Sequence, residues 1–305
     1  MSVLCCSCHA PHTGRRTLHT ASTLANRAIY NDRGLIVVNK PPGLTCQSSP
    51  ADYGRGRSTG GSESVGNGFG ALLDGLRVAF DLKNNPFGVH RLDKGTTGCF
   101  VLARTQSQAR ELSRQFKLRD VGKTYLALVR GSARSFAHGS GQLRQPLSYI
   151  DGRGSLSQND REPSWPAETD WELVASSTKA PVSLLRLQLL TGQKHQLRIH
   201  LAKSLHAPII GDDTYSHKEL SPAITEACVV PKSRLMLHAS RISLFRYMKS
   251  GRRVRLEVVA PLPADFIQMC HELDIPVDSG EVKGGLFADG VQAREIAELD
   301  GRWLN

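Results

Sequence analysis

The sequence predicts an α+β fold, strands with helices packed against them. Two patterns carry that reading. Short apolar or β-branched runs closed by turn residues recur along the chain, among them LIVV at 35–38, GCFVLAR at 98–104 and VSLLRLQLL at 182–190. Between them, ALLDGLRVAFDLKNN at 71–85 and TQSQARELSRQFKLRD at 105–120 repeat apolar residues at helical spacing. A third observation bounds the class: 305 residues, 40% hydrophobic and 22% charged, are ample for one substantial core.

Residues 1–28 are set apart from the fold. They carry Arg15, Arg16 and Arg27, no acidic residue, and much Ser, Thr, Ala and His, the composition of a mitochondrial transit peptide. No apolar stretch of about seven or more residues is present, which disfavours a secretory signal. The competing readings are a disordered tail and a small metal site from Cys5, Cys6, Cys8, His9 and His12. A folded zinc site needs a second ligand pair at a set distance, and none follows.

The folded domain is drawn at 29–270. Leu35 to Val38 make its first strand, ended by the rigid turn Lys40-Pro41-Pro42-Gly43. Residues 48–70 are Gly- and Ser-rich and read as a flexible insertion. A helix follows with Leu72, Leu73, Leu76 and Phe80 on one face, then a loop containing HRLDKGTTG, then the strand GCFVLAR. The next helix places Ala109, Leu112 and Phe116 on one face among basic residues. KTYLALVRG at 123–131 reads as a half-buried strand, Tyr125, Ala127 and Val129 on one side, Leu126 and Leu128 on the other. Strands are also expected at VSLLRLQLL, RLMLHASRISL and RRVRLEVVA. HQLRIHLAKSLH should be a helix that stops before Ala207-Pro208, because proline disfavours α geometry in the residue before it. Residues 271–305, acidic and Gly-containing, are expected to be a peripheral extension.

Charge narrows the function. The net charge is +11 and the pI about 9.5, and removing residues 1–28 still leaves +8, so the folded part itself is basic. Such an excess favours a polyanionic partner. No run approaches the roughly 18 apolar residues of a membrane span, so no membrane association is expected. Cysteines at 5, 6, 8, 46, 99, 228 and 270 form no disulfide framework, consistent with a reducing compartment. Gly122-Lys123-Thr124 fails as a phosphate loop because position 117 is Lys rather than Gly, so nucleotide cofactors are excluded.

HRLDKGTTG sets one carboxylate, Asp93, among His90, Arg91 and Lys94. Alone it reads as a surface turn with a local ion pair. It stands, however, with KPPG at 40, KTYLALVRG at 123 and TGQKHQLRIHLAKSLHAPIIGDDTY at 191. Together these segments resemble the RluA-type pseudouridine synthases, from about residue 35 to 266, including RLMLHA and VVAPLPADF. The resemblance implies a mixed, mainly antiparallel sheet with flanking helices, and an isomerase that converts uridine in RNA to its carbon-linked isomer without metal or cofactor. It assigns the catalytic aspartate to Asp93, the active-site tyrosine to Tyr125, and the basic partner of the aspartate to Arg198. The substrate-binding set is Arg91, His90, Lys40, Lys94, Lys123, Gln196 and Lys194, with Lys40 read as an RNA or loop contact. His90, His195 and His200 are read as hydrogen-bonders that shape the loop and helix, not as metal ligands. Two departures stand out: Thr97 replaces the usual Ser of T-S-G, and Gln193 stands where Arg is common. The family's frequent N-terminal RNA-binding module is not expected here.

The chemistry accounts for these residue types independently. Moving a base from nitrogen to carbon requires an ionised carboxylate at the ribose or the ring, as nucleophile or base. A guanidinium beside it favours that form. The detached uracil must rotate without escaping, and a flat wall such as Tyr125 can hold it. The target must first leave its stack at a cost of a few kcal/mol. Arg91 is then a candidate plug for the vacated space, an idea that normal binding and modification by an Arg91→Ala protein would dispose of. Mitochondrial large-subunit ribosomal RNA is the first expected substrate and mitochondrial transfer RNA the second, acted on by a monomer. A non-catalytic RNA-binding ribosome-assembly factor on the same fold is the rival from another class. A hydrolase is disfavoured, since no second carboxylate stands at a suitable motif.

Overall fold

The computed structural model of the chain describes residues 24–46, 68–158, 163–216 and 219–305. One 14-stranded sheet organises them. Its N-terminal half contains β1 (Ala28–Asn31), β2 (Leu35–Lys40), β3 (Phe87–Gly88), β4 (Thr97–Ala103), β5 (Gly122–Arg130) and β6 (Ser140–Leu143). Next comes a separate hairpin of β7 (Leu147–Ile150) and β8 (Arg153–Leu156). The sheet resumes with β9 (Thr169–Ser176), β10 (Val182–Leu189), β11 (Leu237–Tyr247) and β12 (Arg253–Val259). Four short strands close it: β13 (Gly285–Ala288), β14 (Val291–Ala293), β15 (Glu295–Ile296) and β16 (Gly301–Trp303). The spatial order is β15-β16-β1-β2-β4-β11-β5-β10-β9-β6, with β12 paired to β11 and β13. All named pairings are antiparallel except β4 with β11, so the sheet is mixed and mainly antiparallel, as expected.

Both faces of the central strands are covered. Leu35 and Val37 of β2 enter one apolar cluster, and Ile36 and Val38 enter the other. This double burial explains why the central strands read as continuous apolar runs. It also corrects one expectation: β5 is buried from Thr124 through Val129, not half-exposed. Helix α1 (Gly68–Ala79) buries Phe69, Leu72 and Leu76 in the cluster of Ile36 and Val38. Helix α2 (Gln106–Lys117) starts at Thr105, whose side chain caps the N–H of Gln108, and buries Leu112 in the cluster of Leu35 and Val37. Among the described residues no helix is long and apolar enough to cross a membrane.

Four boundaries differ from expectation. Residues 68–70 open helix α1 because Phe69 packs into the core, so they are not insertion; residues 48–67 lie outside the described residues. Leu24 and Ala25 are buried core residues, so the folded part begins before 29; the Cys5–His12 alternative lies outside the described residues. The helix at 195–206 is one α turn, α3 (Gln196–Ile199), continued by a π turn at His200–Ser204. The segment 271–305 is integral, not peripheral: β13 pairs with β12, β16 pairs with β1, and Leu273, Leu286 and Leu299 are fully buried.

The sheet also sets the two segments that matter for function. The parallel register His238↔Thr97 fixes where the loop 90–96 enters β4. At the next pair, Gly98 has φ +107 and lies against the backbone of Ala239, where any Cβ would collide.

Candidate active site

The loop before β4 carries Asp93, closed by a turn in which the Thr96 N–H donates to the Asp93 carbonyl at 3.1 Å. Its two ends are pinned by neutral imidazoles. His90 accepts the Val101 N–H on Nε2 at 2.8 Å, and its ring packs between Phe100 and Phe116 at 5.1 and 4.8 Å. Burial, with the nearby Lys123 charge, lowers its pKa to about 3. At the other end, the Thr97 hydroxyl meets His238 Nδ1 at 2.9 Å, while His238 Nε2 reaches the Ala260 carbonyl at 3.2 Å. The hydroxyl that Thr97 shares with the usual Ser is therefore in use.

The turn 40–43 braces this loop. Lys40 is fully buried, and its Nζ donates to the carbonyls of Leu44 at 2.8 Å, Pro41 at 3.0 Å and Lys94 at 3.1 Å. Burial lowers its pKa to about 8. Lys40 is a clamp on the loop, which corrects its place among substrate contacts; three carbonyls already occupy its three protons.

The segment 191–198 supplies the opposite wall. Gln196 is 2% exposed and committed inward: Oε1 accepts from the Thr191 hydroxyl at 2.7 Å and the Gln193 N–H at 3.0 Å. Its Nε2 donates to the Glu168 carbonyl and the Thr169 hydroxyl. Gln196 thus shapes the loop and has no free group for substrate, a second correction. His195 follows in left-handed geometry at φ 55, which turns its ring toward the loop of Asp93. Its Nε2 is 3.9 Å from one Asp93 oxygen, and Arg198 Nη1 is 3.9 Å from the other. His200 is buried and bonded to Thr169 Oγ1 and the Gln145 carbonyl, a helix anchor as read from sequence.

Between the walls lies a cavity of about 520 Å³. Asp93 is the one carboxylate lining it among the described residues, against Arg91, Lys117, Arg119, Lys123, Lys194 and Arg198. Tyr125 of β5 forms part of the floor, 7% exposed, with burial and then the Asp93 charge holding its phenol well above the usual value. Lys123 donates to the Thr191 carbonyl at 3.0 Å, and burial lowers its pKa to about 8. Lys194 donates to the Gly152 carbonyl at 2.9 Å from an exposed position. Lys94 is exposed and does not line the cavity, leaving its carbonyl, not its ammonium, as the structural contact. Gln193 lines the cavity and donates to the Pro166 carbonyl at 3.2 Å.

Sequence reasoning missed one residue of this wall. Arg198 makes its close pair with Asp212, Nε and Nη2 each donating at 2.8 Å, rather than with Asp93. Asp212 stood inside the recognised GDDTY segment, but nothing in linear spacing marks it as the partner of a residue fourteen positions earlier.

A single carboxylate in a basic, tyrosine-floored cavity defines a site for acid–base or nucleophilic work on an anionic polymer. The comparisons with known proteins agree. Residues 34–203 match the family model described as RNA pseudouridylate synthase. An uncharacterised RNA pseudouridine synthase of Zymomonas mobilis is 32% identical over 250 residues, covering 81% of this chain and 98% of that protein. The ribosomal large subunit pseudouridine synthase D of Nitrosomonas europaea is 33% identical over 259 residues, covering 84% and 67%. Among solved structures, human RNA pseudouridylate synthase domain containing 4 superposes with TM-score 0.66 at 26% identity, covering 85% of this chain and 97% of that one. The protein is an isomerase acting on RNA. It belongs to the RluA-type family of RNA pseudouridine synthases.

Proposed function

We propose that this chain isomerises a specific uridine of mitochondrial large-subunit ribosomal RNA, with Asp93 as the reacting carboxylate. The observation that carries the site assignment is the isolation of Asp93 among six cationic side chains in one cavity. Phosphates bring the strand to the cations, and the carboxylate meets the extruded nucleoside. The bond from N1 to the ribose breaks and one from C5 to the same carbon forms; C5 loses a proton and N1 gains one, so the atoms balance. Asp93 either attacks the sugar or removes a proton from it, and both roles need the ionised form. Tyr125 supplies the flat wall against which the free uracil turns, and its phenol stays protonated. Arg91, exposed at the cavity, is placed to fill the gap in the stack.

The ribosomal reading draws on relatives named as ribosomal large subunit pseudouridine synthases, and the mitochondrial reading on the composition of residues 1–28. The test is nucleotide-resolution pseudouridine mapping of mitochondrial and cytosolic RNA in native cells and cells carrying Asp93→Asn. Loss of one site in mitochondrial large-subunit ribosomal RNA is expected. Loss in mitochondrial transfer RNA or in cytosolic RNA instead would overturn the substrate. No loss anywhere, with the variant stable and RNA-bound, would overturn the role of Asp93.

A further inference from the structure

Arg198 and His195 face Asp93, yet neither is held by it: both separations are 3.9 Å, longer than a hydrogen bond. What holds them is one turn that follows the π turn. Ile209 and Ile210 are fastened to the sheet, Ile209 bridging Val129 and the Ile210 N–H donating to the Leu128 carbonyl at 2.9 Å. Gly211 then turns with φ +78 directly against the Arg234 carbonyl, a position that only glycine can fill. This delivers Asp212 beneath Arg198, its side chain 1% exposed. Its Oδ1 accepts the N–H groups of Thr214 and Tyr215 at 3.0 Å each, and its two oxygens take Nε and Nη2 of Arg198. Burial alone would raise its pKa, but the guanidinium and the two N–H groups hold the carboxyl below the ordinary value. A planar fork gripped on two nitrogens has one edge left. That edge, Nη1, is the one toward Asp93.

The same turn sets His195. The Tyr215 hydroxyl lies 2.9 Å from His195 Nδ1, and the Tyr215 ring sits 5.1 Å from the Arg198 guanidinium carbon. If the hydroxyl donates, Nδ1 is the acceptor and the ring proton resides on Nε2, facing Asp93. The opposite tautomer would aim a lone pair at a carboxylate.

We propose that Asp212 and Tyr215 are the positioning residues of this site: Asp212 fixes Arg198 and Tyr215 fixes His195, so that one N–H confronts each oxygen of Asp93. The device keeps both donors near the carboxylate without consuming it, leaving Asp93 free to approach the sugar. This rests on Asp93 being the reacting carboxylate.

The test uses the full chain and a mitochondrial large-subunit ribosomal RNA transcript tritiated at uracil C5, read as single-turnover tritium release. Asp212→Asn should slow release on the order of 100-fold, the cost of a misplaced group, with RNA affinity unchanged. In an Arg198→Ala background the same substitution should cost nothing further, because the residue acts through the arginine. Equal losses in both backgrounds would overturn the proposal. Nitrogen-15 NMR of His195 supplies a readout that needs neither RNA nor Asp212→Asn. The wild-type ring should carry its proton on Nε2, and Tyr215→Phe should shift it toward Nδ1. A wild-type ring protonated on Nδ1, or one indifferent to Tyr215→Phe, would also overturn it. Absence of tritium release from the wild type, with the expected tautomer observed, would instead count against the substrate and role given to Asp93.

Discussion

The two faces of β5 make a natural experiment in what a basic surface means. Lys123 and Tyr125 project into the active cavity; Gly122 and Thr124 lie on the other face, beside Arg186, Arg241 and Arg255. Both faces carry arginines, and the charge of +11 does not distinguish them. Their partners do. On the back face Arg186 pairs with Glu172 at 3.0 Å, Arg241 with Glu257 at 2.8 Å, and Arg255 bonds to Ser243 and the Asp120 carbonyl. On the front face Arg198 pairs with Asp212 and Arg119 with Glu168, Lys123 and Lys194 hold backbone carbonyls, and Arg91 and Lys117 enter no ion pair among the described residues. The back-face arginines are all committed to acids, a hydroxyl or a carbonyl of the sheet, whereas the front face keeps Arg91 and Lys117 without an acid and free for phosphate. Net charge reports neither.

The largest expected effect separates the faces by removing an acid from each. Asp93→Asn should reduce the single-turnover rate by at least about 10⁴-fold while the protein stays folded and RNA-bound, as expected for a group acting in the bond-changing step. Glu257→Gln, on the back face, should leave the rate unchanged and lower stability by no more than about 1 kcal/mol, since its pair with Arg241 is partly exposed. An active Asp93→Asn enzyme would dissolve the distinction.

Acid should loosen the front before the back, because imidazoles tie both ends of the Asp93 loop. His90 and His238 are held neutral by burial, with pKa values lowered from 6.5 to about 3 and about 4. Between those values and 6.5 the unfolded chain binds a proton at each ring that the folded chain refuses. Stability therefore falls as pH falls through that window, by about 1.4 kcal/mol per pH unit for each ring. Urea unfolding at pH 7, 6 and 5 measures it. Replacing either histidine with Gln should flatten the slope by one proton's worth, and an unchanged slope would show that the imidazoles titrate freely in the folded state.

How much of this was legible beforehand varies with the physics that sets each feature. Asp93, Tyr125 and Arg198 could be located because the chemistry fixes their residue types within recognisable segments, and the cavity brings all three together. Asp212 was not legible, since the partner of Arg198 is chosen by how Gly211 turns against the Arg234 carbonyl, a contact between distant segments. Lys40 misled because lysine is almost never fully buried, and only three converging carbonyls make burial tolerable. The acidic stretch 271–305 hid its strands for another reason. GLFA, VQA and GRW are too short to show a period, and they become strands by pairing with β12, with one another or with β1.

The smallest predicted effect tests the comparison most directly. Lys123 of β5 and Arg255 of β12 stand on opposite faces of the same sheet, each reaching a backbone carbonyl at 3.0 Å. If front-face cations serve phosphate, Lys123→Ala should weaken RNA binding similarly across sequences and reduce the slope of log affinity against log salt by about 1. Arg255→Ala should leave that slope unaltered. Its cost should fall on folding instead, since the guanidinium stacks on Phe245 at 4.5 Å and bridges Ser243 to the Asp120 carbonyl. Each such hydrogen bond contributes about 1 kcal/mol, so a drop in stability of about 1–2 kcal/mol is expected. An equal drop in salt slope for the two variants would mean that RNA reaches both faces, and that ion pairing within the sheet does not decide where the strand lies. A lost slope for Lys123→Ala alone would place at least one phosphate beside Thr191, on the same wall of the cavity as His195 and Arg198.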